Sequence, residues 1–240
     1  MIGGLRERVH VGKLAGVVCV FAALFAALAS PCAAAARSVT LTVEGQPVAA
    51  LYWLPASNGK AKVRGVILLH MLGRSKEDWR GFGDLLERSG YAAIAVDLRG
   101  GGNAGEGKLV GDARAAFDYL AHQPEVDASR ISVVGASIGA NGALLFAVEE
   151  PRVRCAVLLS PGLDFRGVST VPAISKMVRP VLLVASEDDQ YSAESVRRLN
   201  QLAPGPKVLK IYSRAGHGTR IFGAGVGLEK EILVFLKAHL

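Results

Sequence analysis

The sequence predicts an α/β fold, an open and mostly parallel sheet with helices on both faces. Short runs rich in Val, Ile and Leu alternate with longer amphipathic segments, the pattern of repeated right-handed βαβ units. In residues 63–69 the run Val66-Ile67-Leu68-Leu69 is apolar on both faces, as a strand covered on both faces of a parallel sheet must be. Composition agrees: 50% of the 240 residues are hydrophobic and 20% charged, with 28 Gly, 10 Pro and 3 Cys. Those values exclude a disordered chain, a fibre and a disulfide-stapled miniprotein.

Taken in order, residues 39–43 and 48–54 predict two strands joined by the turn Glu44-Gly45-Gln46-Pro47, an antiparallel hairpin at the sheet edge. After a polar loop comes Val63–Leu69. Residues 75–88 place Trp79, Phe82, Leu85 and Leu86 at helical spacing, with Ser75 as N-cap and Gly90 as stop. Tyr91–Val96 predicts a strand and residues 109–122 a helix. Residues 131–134 predict a strand, Ile138–Glu149 a helix and Val153–Leu159 a strand. A strand over 180–185, a helix near 193–202, a strand over 208–212 and a helix near 228–240 complete the series. Residues 161–179 form the one long irregular connection, and a connection of that length is more often functional than idle.

The N-terminal segment is a separate matter. Arg6, Arg8 and Lys13 precede residues 14–36, which carry no charge and contain Pro31 and the run Ala33-Ala34-Ala35-Ala36. Basic start, apolar stretch and small-residue cleavage choices predict an export signal over residues 1–36, with a periplasmic or secreted domain over 37–240. The stretch is also long enough for an uncleaved membrane anchor, and Cys32 offers a lipidation reading in a poor context. Beyond residue 36 the only cysteine is Cys155, so no disulfide forms there. The net charge of +7 is spread rather than clustered, Arg197-Arg198 being the one adjacent pair in that region. No nucleic-acid partner is expected from such a surface.

The segment richest in chemistry is Gly135-Ala136-Ser137-Ile138-Gly139, between a predicted strand and a predicted helix. A serine on so sharp a turn needs neighbours without bulk two residues to either side. The turn lifts its hydroxyl above the sheet, and the helix N-terminus beneath favours negative charge. The bland reading is an N-cap serine between packing glycines. A serine hydroxyl becomes nucleophilic only beside a base. His217, in Ala215-Gly216-His217-Gly218-Thr219, follows a predicted strand at the carboxyl edge of the sheet, where such folds place their sites. His122 and His239 are expected at the surface, and His70, at a strand end, as a support for the following loop.

With these residues in view, the chain resembles the α/β-hydrolases, and among them the small esterases and dienelactone-hydrolase-like members. The resemblance covers nearly all of residues 39–240. Residues 66–73 (Val-Ile-Leu-Leu-His-Met-Leu-Gly) resemble the strand and oxyanion loop, Asp97-Leu98-Arg99-Gly100 the turn after the next strand, and Asp127-Ala128-Ser129-Arg130 the lead-in to the nucleophile strand. Dienelactone hydrolases proper carry a cysteine where this chain has Ser137. The resemblance implies a triad in the order Ser, Asp, His. Ser186-Glu187-Asp188-Asp189 supplies the acid: Asp189 if Ser186 stands where the family has glycine, Asp188 if Ala185 does. The oxyanion donors expected are the amides of Ile138 and Leu72, with Met71 the alternative to Leu72.

The expected activity is hydrolysis of a small-molecule carboxylic ester through an acyl-enzyme, with no cofactor and no metal. Rival readings are a peptidase or acyltransferase on the same scaffold, and a catalytically silent binding protein. Ser160 is the fallback nucleophile and Asp164 the fallback acid. Gly100-Gly101-Gly102-Asn103-Ala104-Gly105 matches a dinucleotide-binding spacing, but Glu106, Gly107 and Gly111 delay the helix that such a site requires. Residues 160–179 are too few for an independent cap, so a minimal cap and short acyl groups are expected. The alternative is an apolar flap of Leu163, Phe165, Val168, Val171, Ile174 and Met177.

Overall fold

The computed structural model describes residues 1–4, 36–56 and 61–240. By contact the chain divides into Met1–Cys32 and Ala33–Leu240, and the elements all belong to the second unit. The stretch read as an export signal or anchor lies outside the described residues, its ends apart. Among the described residues no helix is long and apolar enough to cross a membrane.

β1 (Arg37–Val43) and β2 (Gln46–Trp53) pair antiparallel about Glu44 and Gly45, both at positive φ as a tight hairpin demands. β2 then lies antiparallel on β4 (Tyr91–Val96), and β4 is parallel to β3 (Val63–Leu69). Every further pairing is parallel: β3 with β5 (Val126–Ala136), β5 with β6 (Val153–Leu159), β6 with β9 (Val181–Ser186) and β9 with β10 (Lys207–Tyr212). The sheet order is therefore β1-β2-β4-β3-β5-β6-β9-β10.

The pleat divides the strand residues between two cores. Ile67, Leu69, Ile94 and Val133 face one side, against α2 (Glu106–Ala121), α3 (Ile138–Glu149) and α5 (Gln190–Leu202). Val66, Leu68, Ala95 and Val134 face the other, against α1 (Arg80–Arg88) and α6 (Leu228–His239). Ser75 caps a 3-10 turn, Lys76–Trp79, that leads into α1, and Gly90 at φ 83° follows the helix.

Several boundaries differ from expectation, α5 among them, which starts at Gln190 rather than near 193. β5 begins at Val126 rather than 131: Val126 pairs with Val63 of β3, and across the irregularity that follows Asp127 accepts from Ser129 and Arg130. α2 begins at Glu106, within the glycines. The connection over 161–179 holds a small hairpin, β7 (Asp164–Phe165) with β8 (Val168–Ser169), and a single helical turn, α4 (Val171–Ile174).

At the end of α3, Glu150 is 4% exposed and accepts bonds from the Arg152 amide and guanidinium and from Arg114. The Arg152 side-chain bond leads in holding its pKa down, from 4.5 to about 2. A folded-state pKa below the unfolded one gives stability that is complete above about pH 4.5 and is lost as pH falls toward 2. Glu150→Gln is therefore expected to cost about 1–3 kcal/mol at neutral pH. In urea melts the gap between the two proteins should narrow between pH 5 and pH 3; a gap independent of pH would contradict the assignment.

Candidate active site

The parallel strands end on one edge, and the loops leaving β3, β5, β6, β9 and β10 meet there. Ser137 terminates β5 and begins α3 at φ 54° and ψ −122°, a costly conformation for a residue with a Cβ. The glycines make it possible. A Cβ on Gly135 would lie 2.1 Å from the Gly139 carbonyl oxygen, and one on Gly139 would lie 2.4 Å from the Leu69 oxygen. Helix, elbow and β3 approach more closely than any side chain permits.

His217 follows β10, and its ring reaches Asp189, just beyond β9. Its Nδ1–H donates to Asp189 Oδ2 at 2.6 Å. A carboxylate can only accept, so the proton sits on Nδ1 and Nε2 is left with a lone pair. Ser137 and His217 line one cavity of about 390 Å³. No hydrogen bond joins their side chains here, and contacts of this kind often tighten only around substrate.

Asp188 has a different partner set. It accepts from the Ser186 hydroxyl and from the amides of Ala215 and Gly216 at 3.3 and 3.2 Å. The Ser186 bond is the leading cause that lowers its pKa. Asp188 is exposed, and these bonds tie the histidine loop to the end of β9. Adjacent carboxylates thus do two jobs: Asp189 holds the ring, Asp188 the backbone beneath it. The Ser160 hydroxyl accepts from the Gly218 amide at 2.9 Å and fixes the other side of that loop. Ser160 is 1% exposed.

His70 is buried, and the Leu98 amide donates to its Nε2 at 2.8 Å. Its proton is therefore on Nδ1, which donates to the Met71 carbonyl at 2.7 Å. Burial pushes its pKa down, so it stays neutral and cross-links the β4 end to the loop after β3. In that loop the Gly73 amide is taken by Gly101 O and the Arg74 amide by Met71 O. Met71 and Leu72 of that loop line the cavity together with Ile138. Ile138 opens α3, where amides lack helical partners. Loop engagement of this kind, for Asp188 and Ser160 alike, was not readable from sequence, since backbone partners leave no residue pattern.

The glycine-rich segment forms no phosphate cradle. Gly100, Gly101 and Gly102 take positive φ, and Gly102 packs against Ile138 and Leu72. Among the described residues no group of His, Cys, Asp and Glu suits a metal ion. Cys155 is buried, its thiol pushed up to about 12 by desolvation. Asp164 lies exposed on β7, and its backbone rather than its carboxylate is engaged, by Tyr191.

Residues 65–178 match the family model described as alpha/beta hydrolase fold. An uncharacterized protein of Mycobacterium tuberculosis is 34% identical over 151 residues, 53% of this chain and 53% of that protein, so the chain spans about half the length of that relative. A rat protein named "Putative protein-lysine deacylase ABHD14B" is 30% identical over 193 residues, 74% of this chain and 85% of that protein. Among solved structures, dienelactone hydrolase from Anabaena variabilis superposes with a TM-score of 0.71 at 22% identity, covering 85% of this chain and 98% of that one. At that identity the likeness concerns the fold.

The elbow packing predicts that Gly135→Ala and Gly139→Ala destabilise by more than about 3 kcal/mol, since backbone must move to make room. Gly81→Ala, on α1 with open space around its Cβ, should gain up to about 1 kcal/mol from helix propensity. Thermal unfolding of the three proteins checks the contrast. Unchanged midpoints in the elbow variants would refute it.

Proposed function

The chain belongs to the α/β-hydrolase fold family, and on that premise we propose that it is a serine hydrolase cleaving carboxylic esters through an acyl-enzyme. The observation that carries the reading is the Asp189–His217 bond, which leaves Nε2 free to accept a proton in the cavity that Ser137 faces. Ser137 Oγ attacks the carbonyl carbon while His217 Nε2 takes its proton. The carbonyl oxygen becomes an oxyanion and is held by the amides of Ile138 and Leu72, or Met71 in place of Leu72. As the tetrahedral centre collapses, the imidazolium returns the proton to the leaving alkoxide. Water, activated by the same Nε2, attacks the acyl-enzyme and releases the acid. Asp189 holds the ring and stabilises its charge throughout. No step calls for a cofactor.

One observation favours a second reading, hydrolysis of an N-acyl amide: the 30% identity to a protein whose name includes lysine deacylase. The steps are the same except that His217 protonates an amine. Paired substrates with one acyl group, an aryl ester and an acetyl-lysine peptide, separate the two by their kcat/KM.

Ser137→Ala is expected to abolish labelling by a fluorophosphonate probe and to lower ester turnover by about 10⁴-fold or more. Retained labelling or turnover in a folded, pure sample would refute the nucleophile and redirect attention to Ser160. Asp189→Asn should cost about 10⁴-fold in kcat, because the ring loses its tautomer control. Asp188→Asn should cost far less, since its partners are loop amides. The reverse ranking would assign the acid to Asp188.

A further inference from the structure

We infer that the β7–β8 hairpin is a fixed wall that restricts the acyl group to short chains, with Phe165 as the residue that sets the limit. The inference rests on the ester-hydrolase reading above. It begins with the four bonds of the tetrahedral centre. One goes to Ser137 Oγ, one oxygen points to the amides of Ile138 and Leu72 or Met71, and the leaving oxygen must lie within reach of His217 Nε2. The fourth bond, to the acyl carbon, takes the remaining direction. The cavity lining left for it is Asn141, Ser160, Gly162, Phe165, Tyr191 and Ser192.

Most of that lining is floor. Asn141, Ser160 and Ser192 are fully or almost fully buried. Asn141 spends both ends of its amide on the connection above it, donating to Val168 O at 3.1 Å and accepting from the Gly162 amide at 3.0 Å. Phe165 is the large apolar side chain that stands half-buried on this side. An acyl chain extending from Ser137 meets its ring.

The hairpin is tied at three points. At its base, Thr170 Oγ1 donates to Gly162 O at 2.7 Å. Along β7 the Tyr191 hydroxyl donates to Asp164 O at 2.8 Å and accepts from the Asp164 amide at 3.3 Å. The Tyr191 ring lies so close over Gly162 that a Cβ there would be 2.9 Å from it. At the tip Arg166 and Gly167 turn through positive φ. The Arg166 guanidinium covers the Phe165 ring at 5.7 Å and donates to Asn103 Oδ1 at 2.9 Å. Asn103 follows Gly102, which packs on Ile138 and Leu72. The bridge therefore runs from the acyl wall to the oxyanion wall. A cavity of about 390 Å³, small for a ligand site, must hold both halves of the substrate. The connection is a strap rather than the loose apolar flap that its composition also allowed: Val168, Ile174 and Met177 are committed to the core.

The test uses the purified full chain and p-nitrophenyl esters from acetate to octanoate. The native protein should show kcat/KM highest between acetate and butyrate. Each methylene that Phe165→Ala newly lets bind is worth about fourfold, so with two or more admitted the octanoate-to-acetate ratio should rise at least tenfold. Phe165→Trp should lower the butyrate-to-acetate ratio. Arg166→Ala and Asn103→Ala, which cut the bridge, should each raise the octanoate ratio about threefold. Ratios within twofold of native across these folded variants, or a native preference for octanoate, would overturn the wall. Failure of the hydrolase reading has another signature, no fluorophosphonate labelling and no turnover of any ester by the native chain, and the wall falls with it.

Discussion

Ser137 occupies a backbone conformation that costs on the order of 1–3 kcal/mol for a residue with a side chain, and much of the molecule is arranged to hold it there. The strain persists because β5, α3 and β3 are packed too closely to let the turn relax. Gly139 lies against the carbonyls of Leu69 and His70, and Gly135 against the first turn of α3. β5 sits centrally, hydrogen-bonded to β3 and β6, so relaxing the elbow would require shifting a strand paired on both sides. The central parallel sheet is in this sense the clamp, and half-buried Ser137 is what it presents to the cavity.

Around that elbow the candidate site is built from loops, each fastened by a small number of polar contacts. The histidine loop hangs from Asp188 and Ser186 on one side and Ser160 on the other. The loop after β3 hangs from His70, whose neutral ring spans the Leu98 amide and the Met71 carbonyl. Nearly all these anchors are buried or half-buried, where an unsatisfied partner would cost more than the bond contributes. Positioning therefore relies less on many contacts than on a few that are expensive to break.

The fold was legible because its core strands are short, apolar and separated by helices of clear period; Val63–Leu69, Tyr91–Val96, Ile138–Glu149 and Val153–Leu159 lie where the pattern puts them. Pattern failed where polar side chains bind locally instead of alternating. Asp127, Ser129 and Arg130 look like a turn and lie within β5, Asp127 accepting from the other two. β7 and β8, of two residues each, carry no readable period. Ser137, Asp189 and His217 could be named as candidates because the proposed chemistry requires those residue types. The anchoring work of Asp188 and Ser160 could not, because loop amides bind any suitable oxygen. Met71 and Leu72 stay alternatives for the same reason: a backbone donor has no side-chain signature.

The glycine-rich loop shows how one segment can look like one device and serve another. Three consecutive glycines at positive φ carry a large conformational entropy in the unfolded chain, so something must hold the loop in place. Arg99 does so at its start: its amide and Nε bind Asp112, which is fully buried, and its NH1 reaches Glu44 on the β1–β2 turn. The loop's far end meets the hairpin at Asn103. A nucleotide-binding loop keeps its amides free for phosphate. Here Gly101 instead offers its carbonyl to Gly73 and Gly102 its bare Cα to Ile138 and Leu72. The glycines are needed because the loop after β3 must be approached without a side chain, and the buried ion pair makes that approach a fixed distance rather than an average one.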